Sequence, residues 1–190
     1  HTLDVAALYG SKTLAGTVAG KAFLPKLLEA SSGTSAGSVL AIDFRKTDLV
    51  TASFFRASFK ALRDYARRQA DFYVVHVCRE RATIEEVQAY AEDVADAFLF
   101  SDIDVRGEFA HPFLVGTIEA KQLAALVALW EVGEADAPTL LKKFPDPSVS
   151  SSNAWNNRLA ALSEKGLVLE RLEGRSKVFR PIFKEIRLGL

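Results

Sequence analysis

The first two thirds of the chain alternate between continuous apolar runs and stretches of helical periodicity. Residues 39–44 and 72–78 are nearly all apolar, a pattern that is typical of strands buried on both faces of a sheet. Apolar residues recur at helical spacing within 13–30, 51–69 and 84–97. Because predicted strands and helices alternate along the sequence, this part of the chain predicts an α/β domain with a mixed or mainly parallel sheet and covering helices.

Shorter signals predict where these elements begin and end. Residues 3–8 predict a first strand, and residues 98–113 predict one or two short strands. Thr83 is expected to cap the helix that follows it, with Glu86 completing a capping box. The helix over 51–69 is expected to bury four side chains: Phe54, Phe55, Phe59 and Leu62.

The final third shows a different pattern, which starts with a single apolar stripe. Trp155, Leu159 and Leu162 recur at i, i+4 and i+7, which predicts the buried face of a helix. The serines at 150–152 offer N-cap hydroxyls before this helix, and Gly166 stands at the position where a helix ends. The stripe therefore predicts a helix with a marked start and end.

A hairpin is predicted directly after that helix. Alternating runs at 167–172 and 177–182 flank the four residues 173–176, which suit a hairpin loop. Upstream, residues 118–130 and 138–144 predict two shorter helices. The predicted order is therefore three helices followed by a two-stranded wing.

This order resembles the winged helix-turn-helix domains. The resemblance covers residues 117–183 and includes the segment Leu-x-x-Leu-x-x-x-Gly-Leu-Val that starts at Leu159. It implies an α+β winged-helix domain that either reads DNA or binds a protein. We therefore expect two domains, an α/β domain over residues 1–115 and a winged helix over residues 116–190.

A second resemblance concerns the N-terminal domain. The run Val39-Leu40-Ala41-Ile42-Asp43-Phe44, followed by Leu49-Val50-Thr51-Ala52-Ser53-Phe54, is similar to STAS-like domains, the fold of anti-sigma-factor antagonists, over residues 3–100. In that family a strand ending in aspartate is followed by a serine- and threonine-rich turn that opens a helix. The resemblance implies a domain that senses a signal or engages a partner such as a kinase or ATPase.

Thr51 and Ser53 are the candidate regulatory residues of this turn. A helix N-terminus favours added negative charge, so either hydroxyl is a candidate phosphoacceptor. The alternative is that one of them only caps the helix. The glycine of the Asp-Ser-Ser/Thr-Gly motif of phosphorylated antagonists is missing from Thr51-Ala52-Ser53-Phe54, which favours capping.

Composition narrows the class of protein. With 49% hydrophobic and 25% charged residues, the chain is globular rather than disordered. Cys78 is the single cysteine, which excludes an intrachain disulfide and fits a reducing cytoplasm. No apolar run approaches the ~18 residues that span a bilayer. We expect a cytoplasmic protein without membrane contact, with a trimmed N-terminus, because the chain has no methionine and starts at His1.

The formal net charge of zero hides a small asymmetry between the two predicted domains. Residues 1–115 contain 13 Lys/Arg and 15 Asp/Glu, whereas residues 116–190 contain 11 and 9. This excess is small for a nucleic-acid binder, whose affinity depends on neutralising phosphates. An ordinary solvated surface gives the same balance.

Polar side chains of the third helix and the wing are the candidate DNA contacts. Asparagine and arginine suit adenine and guanine edges in the major groove, and the cations of a wing suit phosphates. The helix contributes Ser151, Asn153, Asn156, Asn157 and Arg158, and the wing contributes Arg171, Arg175, Lys177 and Arg180. The alternative is a polar helix face beside an ordinary charged hairpin.

Four cations recur at i, i+4, i+7 and i+11 along the predicted helix 51–69: Arg56, Lys60, Arg63 and Arg67. This spacing predicts a basic stripe beside the buried aromatic face. The stripe is a candidate surface for an acidic partner or a nucleic-acid backbone. A solvated helix face is the alternative.

The sequence lacks motifs for catalysis, nucleotides and metals. The segment 16–21 has alanine where a phosphate loop needs its first glycine and its hydroxyl residue, so small residues inside a helix explain it better. His76 and Cys78 share one strand face, but no second pair of ligands follows at suitable spacing, and His76 is expected to be a hydrogen-bonded structural residue. We therefore expect no enzyme, no cofactor and no metal.

Two functions from different classes remain open. The first is a DNA-binding transcriptional regulator whose STAS-like domain senses a signal or binds a partner. A homodimer is expected in that case, because a pair of winged helices reads two half-sites. The second is a non-enzymatic protein-interaction adaptor in a partner-switching system, in which the winged helix serves for docking or dimerisation.

Overall fold

The computed structural model describes residues 1–145 and 151–189. The chain divides into two units, and the first is built around a six-stranded sheet. In spatial order its strands are β1 (Thr2–Asp4), β3 (Val39–Asp43), β5 (Tyr73–Val77), β6 (Ala97–Ile103), β7 (Phe109–Gly116) and β11 (Arg187–Leu188). The four strands β1, β3, β5 and β6 are parallel to one another. Strand β7 is antiparallel to β6, and β11 is parallel to β7. Two further strands, β2 (Thr13–Leu14) and β4 (Leu49–Val50), pair outside this sheet. The prediction of a mixed, mainly parallel sheet is confirmed.

Helical segments connect these strands. The separate helices are α1 (Val5–Tyr9), α2 (Thr17–Ser31) and α5 (Arg81–Asp93). Residues 52–70 form one continuous helix, the long helix, made of α3 (Ala52–Phe55), a π-helical segment (Arg56–Lys60), α4 (Ala61–Tyr65) and a second π-helical segment (Ala66–Ala70). Because a π turn holds more residues than an α turn, side chains after each π segment are rotated from their expected positions.

The core of the first unit lies between the helices and one face of the sheet. Phe54, Phe55, Phe59 and Leu62 are fully buried in it, as predicted. Gly20 lets α2 approach the long helix, because a Cβ at this position would lie 2.8 Å from the Phe54 carbonyl oxygen. Segment 16–21 lies at the start of α2, with Gly16 as its N-cap residue, in agreement with the prediction that its small residues belong to a helix.

Two predicted strands in the first unit have other bounds in the structure, and the helix predicted from residue 13 begins at Thr17, after the short strand β2. The first strand ends at Asp4 because its carboxylate accepts a hydrogen bond from the Ala7 amide (3.0 Å) and so starts α1. The region 98–113 belongs to two long paired strands, β6 and β7, rather than to short ones. The pairing shifts between Phe100 and Asp102, and such irregularities weaken the alternation on which strand prediction depends.

The capping box predicted at the start of α5 does not form. The helix starts upstream of both residues, so Thr83 and Glu86 lie inside it. Thr83 Oγ1 accepts a hydrogen bond from the Val50 amide (3.0 Å), and Glu86 Oε2 accepts one from the Ala52 amide (2.8 Å). Glu86 therefore caps the long helix, whose own N-cap residue, Thr51, makes no side-chain capping bond.

His76 lies in the aromatic core at 1% exposure, stacked with the rings of Phe44 and Phe100. Its Nδ1 lies 3.1 Å from the Leu99 carbonyl oxygen, but its Nε2 has no hydrogen-bond partner within the described residues. Burial lowers the pKa of this imidazole to about 3, so the side chain is neutral near pH 7. The expected structural histidine is therefore hydrogen-bonded at one ring nitrogen only.

Cys78 is buried as well. Its Sγ lies 3.7 Å from the Glu80 carbonyl oxygen, and burial raises the pKa of the thiol to about 12. The neutral thiol is a poor nucleophile and a poor metal ligand. Within residues 1–145 and 151–189, no group of three or more His, Cys, Asp or Glu side chains is placed to hold a metal ion.

The second unit comprises residues 118–185. Its elements are α6 (Ala120–Val132), β8 (Ala135–Asp136), α7 (Ala137–Lys143), α8 (Ser152–Glu164), β9 (Val168–Glu173) and β10 (Ser176–Pro181). The order of helices and hairpin is the predicted one, and β8 joins the hairpin as a third strand, in the order β8–β10–β9. Across both units, none of the described helices has the length and apolar character that a membrane crossing requires.

The predicted apolar stripe forms the core of this unit. Trp155, Leu159 and Leu162 are at most 3% exposed, and α8 packs against α6 and α7. Gly166 follows the last turn with a φ of 77°, the left-handed conformation in which many helices end. Ser151 occupies the N-cap position without a side-chain capping bond, and Ser150 lies outside the described residues.

The wing, defined as β9, β10 and their connection, has a shorter loop than predicted. Ser176 pairs with Glu173, which leaves Gly174 and Arg175 as a two-residue loop. Gly174 has a φ of 61° at the first loop position, where two-residue hairpins of type II′ require glycine. The two strands are therefore paired up to the tip.

The end of the chain returns to the first unit. Ile186 is buried, and β11 pairs with β7, with Arg187 opposite Phe113 and Leu188 opposite Leu114. By its contacts this segment groups with residues 1–117, whereas the sequence predicts a winged helix over all of 116–190. The second unit is therefore an insertion between two strands of one sheet.

Removal of the Glu86 carboxylate should destabilise the first unit. Glu86→Ala leaves the first amide of the long helix without its acceptor, which costs on the order of 1 kcal/mol. Urea unfolding followed by tyrosine absorbance measures the effect, because all four tyrosines lie in the first unit and both tryptophans in the second. Glu85→Ala is the matched control, because the Glu85 carboxylate is exposed and pairs with Arg81 on the same helix. Equal midpoints for both variants would contradict the capping role.

The pH dependence of stability should change in His76→Phe. The imidazole titrates near 6.5 in the unfolded chain, whereas its pKa in the folded protein is about 3. Its contribution to stability is therefore complete above pH 6.5 and is lost as the pH falls from 6.5 towards 3, by about 1.4 kcal/mol per pH unit.

Urea unfolding between about pH 7 and pH 5, above the range in which most carboxylates titrate, isolates this effect. The free energy of unfolding should fall less steeply in His76→Phe than in the wild type. His1 and His111 are exposed and present in both proteins, so their contributions cancel. Identical slopes would show that His76 is not held neutral by the fold.

Candidate nucleic-acid interface

One face of α8 is open to solvent, opposite its buried stripe. Asn153 and Asn157, one helical turn apart, are exposed on this face, and Ser151 is exposed just before the helix. Ala160 and Ala161 are half-buried in the following turn. The face therefore presents two carboxamides followed by small side chains.

Asn156 and Arg158, predicted to share this face, lie on its flanks. Both are half-buried. The Arg158 guanidinium lies 5.6 Å from the centroid of the Trp155 ring and lines a groove of about 550 Å³, together with Glu131 of α6. Arg158 is therefore directed towards α6 and away from the face that carries Asn157.

The strand register of the wing divides its candidate cations between two faces. Lys177 and Leu172 are register partners and lie on the same face as Phe179, whose side chain is fully buried. Arg171 and Arg180 lie on the opposite face. Since β10 packs on α6 through its buried face, Lys177 is on the helix-facing side of the wing, and Arg171 and Arg180 are not.

Ion pairs inside the second unit engage two of the wing cations. Three such pairs are 2.6–2.7 Å long: Arg171 with Glu134, Arg171 with Glu173, and Lys177 with Glu170. Arg175, in the tip, and Arg180 form no ion pair with any residue that the structure describes. Exposed ion pairs contribute little to stability, so Lys177 can exchange its carboxylate for a phosphate at small cost.

The second unit is close to neutral as a whole. Residues 118–185 contain ten Lys/Arg and nine Asp/Glu. Two carboxylates are exposed near the candidate surface, Glu164 in the last turn of α8 and Glu173 next to the wing tip. A surface with this charge balance exerts little long-range attraction on nucleic acid.

In the first unit, Thr51 and Ser53 lie half-buried where the long helix begins. Thr51 Oγ1 accepts a hydrogen bond from the Gly16 amide (3.3 Å) and lies 3.3 Å from Ser53 Oγ. Because Glu86 binds the first amide of the long helix, the prediction that Thr51 or Ser53 caps it with a side chain is wrong. A phosphate on either hydroxyl would lie near the Glu86 carboxylate, and two negative charges there repel each other.

The basic stripe predicted on the long helix does not form, because Arg63 is buried at 5% exposure. Its guanidinium binds the Asp96 carboxylate (2.7 Å) and lies 4.4 Å from the centroid of the Phe98 ring. The stripe assumes α-helical spacing throughout, whereas the π-helical segment Arg56–Lys60 rotates the residues that follow it, Arg63 among them. The pairing of Arg63 with Asp96 cannot be predicted from a local sequence pattern, because the two residues are 33 positions apart.

The other cations of the predicted stripe have separate surroundings. Arg67 lies over the Tyr73 ring, with its guanidinium carbon 3.7 Å from the ring centroid. Lys60 pairs with Asp64 one turn further along the helix. Arg56 is exposed. The four side chains therefore present no continuous basic surface to a partner.

No protein-family model matches the chain, and no curated protein matches it. Among solved structures, the chain is similar to the solution structure of the DNA-binding domain of the repressor BlaI. That likeness has 22% sequence identity and a TM-score of 0.32, and it covers 35% of this chain and 82% of that one.

Proposed function

We propose that the protein is a DNA-binding transcriptional regulator. Its second unit binds duplex DNA through α8 and the wing, and its first unit, a STAS-like domain, senses a signal or binds a protein partner. The solvent face of α8 carries this proposal. Asn153 and Asn157 are exposed opposite a stripe that packs on α6 and α7, in the helix that takes the place of a recognition helix in the order of elements.

The wing supports the same surface. Arg175 lies in its tip without an ion pair to any described residue, and Lys177 lies on its helix-facing side. Arg171 and Arg180 lie on the opposite face, and Arg158 is directed towards α6. We therefore assign the phosphate contacts of the wing to Arg175 and Lys177.

The regulator acts as a homodimer in this proposal. One near-neutral winged helix neutralises few phosphates, so a single copy has limited affinity for DNA. Two copies bind two half-sites about one helical turn apart, and the contacts of both add to the affinity.

The first unit has a binding role rather than a catalytic one in this proposal. The His76 imidazole and the Cys78 thiol of this unit are both buried and neutral near pH 7. Neither is activated as a base or a nucleophile.

Binding to duplex DNA should depend on salt, and two wing cations should account for part of that dependence. The full chain is titrated with labelled genomic duplex fragments between about 50 and 200 mM salt. Arg175→Ala combined with Lys177→Ala should weaken binding to all sequences alike. It should also reduce the magnitude of the negative slope of log K against log salt by up to about 2, because each lost phosphate contact reduces that magnitude by about 1.

The hairpin offers a matched control. Arg171→Ala combined with Arg180→Ala removes the same charge from the opposite face and should change the slope much less. Equal losses in the two double variants would show that the helix-facing side of the wing is not the DNA surface. No salt-dependent binding of the wild type to any fragment at about 50 mM salt would favour the protein-interaction adaptor instead.

A further inference from the structure

We infer that α8 selects duplex sites rich in A·T pairs, by pairing Asn153 and Asn157 with two adenines in the major groove. This inference rests on the proposed DNA-binding function and adds the base composition of the target. Three properties of α8 lead to it: the chemistry of the exposed side chains, their spacing, and the absence of an exposed cation among them.

The carboxamide of asparagine matches the major-groove edge of adenine. Its NH₂ group donates to adenine N7, and its oxygen accepts from the N6 amino group, so one side chain makes two hydrogen bonds. Asn153 and Asn157 are exposed, and neither carboxamide is hydrogen-bonded to another residue in the described ranges. Both are therefore available to a base without breaking a bond in the protein.

The spacing of the two residues fits neighbouring base pairs. Residues four apart lie on the same side of a helix, and a rise of 1.5 Å per residue separates them by about 6 Å along its axis. Successive base pairs are about 3.4 Å apart, so this separation is close to two base-pair steps. Asn153 and Asn157 therefore contact adenines about two steps apart. Both lie in the first two turns of α8, the part of a recognition helix that reaches base edges.

The exposed face of α8 has no side chain that suits guanine. Guanine is read by arginine or lysine, which donate to its O6 and N7. Within Ser152–Glu164, all of which is described, the single cation is Arg158, and it lies half-buried beside Trp155. The helix is therefore equipped for A·T pairs and not for G·C pairs.

Selection from a random duplex library, with the full chain as bait, tests the base composition. Enriched sites should be rich in A·T pairs and contain two adenines about two steps apart in each half-site. Enrichment of G·C pairs at the positions that face α8 would overturn the inference while leaving the DNA-binding function in place. If no duplex is enriched and none binds in a salt-dependent manner, the proposed function and this inference both fail.

Replacement of single adenines in a selected site by 7-deazaadenine tests the contact itself. This base lacks N7 but keeps its Watson–Crick pairing. At each contacted adenine it should weaken binding of the wild type about 5- to 150-fold. Asn157→Ala should lose the sensitivity to one of the modified adenines, and Asn153→Ala the sensitivity to the other.

Asn156→Ala is the matched control, because Asn156 has the same chemistry but lies half-buried on the flank of α8. This variant should keep the sensitivity to both modified adenines. The modified bases act on the wild-type protein, so the test does not depend on the folding of any variant. Unchanged wild-type binding with 7-deazaadenine at every selected adenine, or loss of sensitivity in Asn156→Ala alone, would overturn the inference.

Discussion

In the first unit, backbone amides where the long helix and α2 begin are bound by side chains that come from other elements. Amides in the first turn of a helix have no partner within the helix, and leaving them unpaired in the interior is costly. The Ala52 amide is bound by Glu86, 34 residues away on α5, and the Gly16 amide at the start of α2 is bound by Thr51. Thr83 binds the Val50 amide, just before the long helix begins. Hydrogen bonds therefore connect the long helix, α2 and α5 at the place where the long helix begins. The arrangement of the helical layer over the sheet depends on these bonds.

Elements with a local signal were predictable from the sequence. The stripe of Trp155, Leu159 and Leu162 and the apolar runs of β3 and β5 are properties of their own segments, so the pattern alone reveals them. Interactions between distant segments were not predictable in this way. Glu86 has the spacing of a capping box after Thr83, yet both side chains serve amides of other elements. A rule based on neighbouring residues cannot distinguish these two outcomes.

The sequence predicts which residues belong to the candidate site better than it predicts the faces on which their side chains lie. A wheel of 3.6 residues per turn places Arg63 in a surface stripe because it ignores the π-helical segment Arg56–Lys60. The sequence offers Asn156 beside Asn157 as a candidate contact, although Asn156 lies on a half-buried flank of α8. The sequence allows the two faces of the wing to be predicted. Strict alternation along β10 places Lys177 on the same face as the apolar Phe179 and places Arg180 on the opposite face.

The return of the chain as β11 links the folding of the second unit to the pairing of a strand in the first. Residues 118–185 are a closed loop of 68 residues between β7 and the strand that pairs with it. If this loop were unfolded, bringing its ends together would cost conformational entropy on the order of a few kcal/mol. Among the described residues, β11 has two register pairs with β7 to offset that cost. Folding of the second unit and pairing of β11 with β7 therefore favour each other. Whatever loosens the second unit also loosens the edge strand of the first.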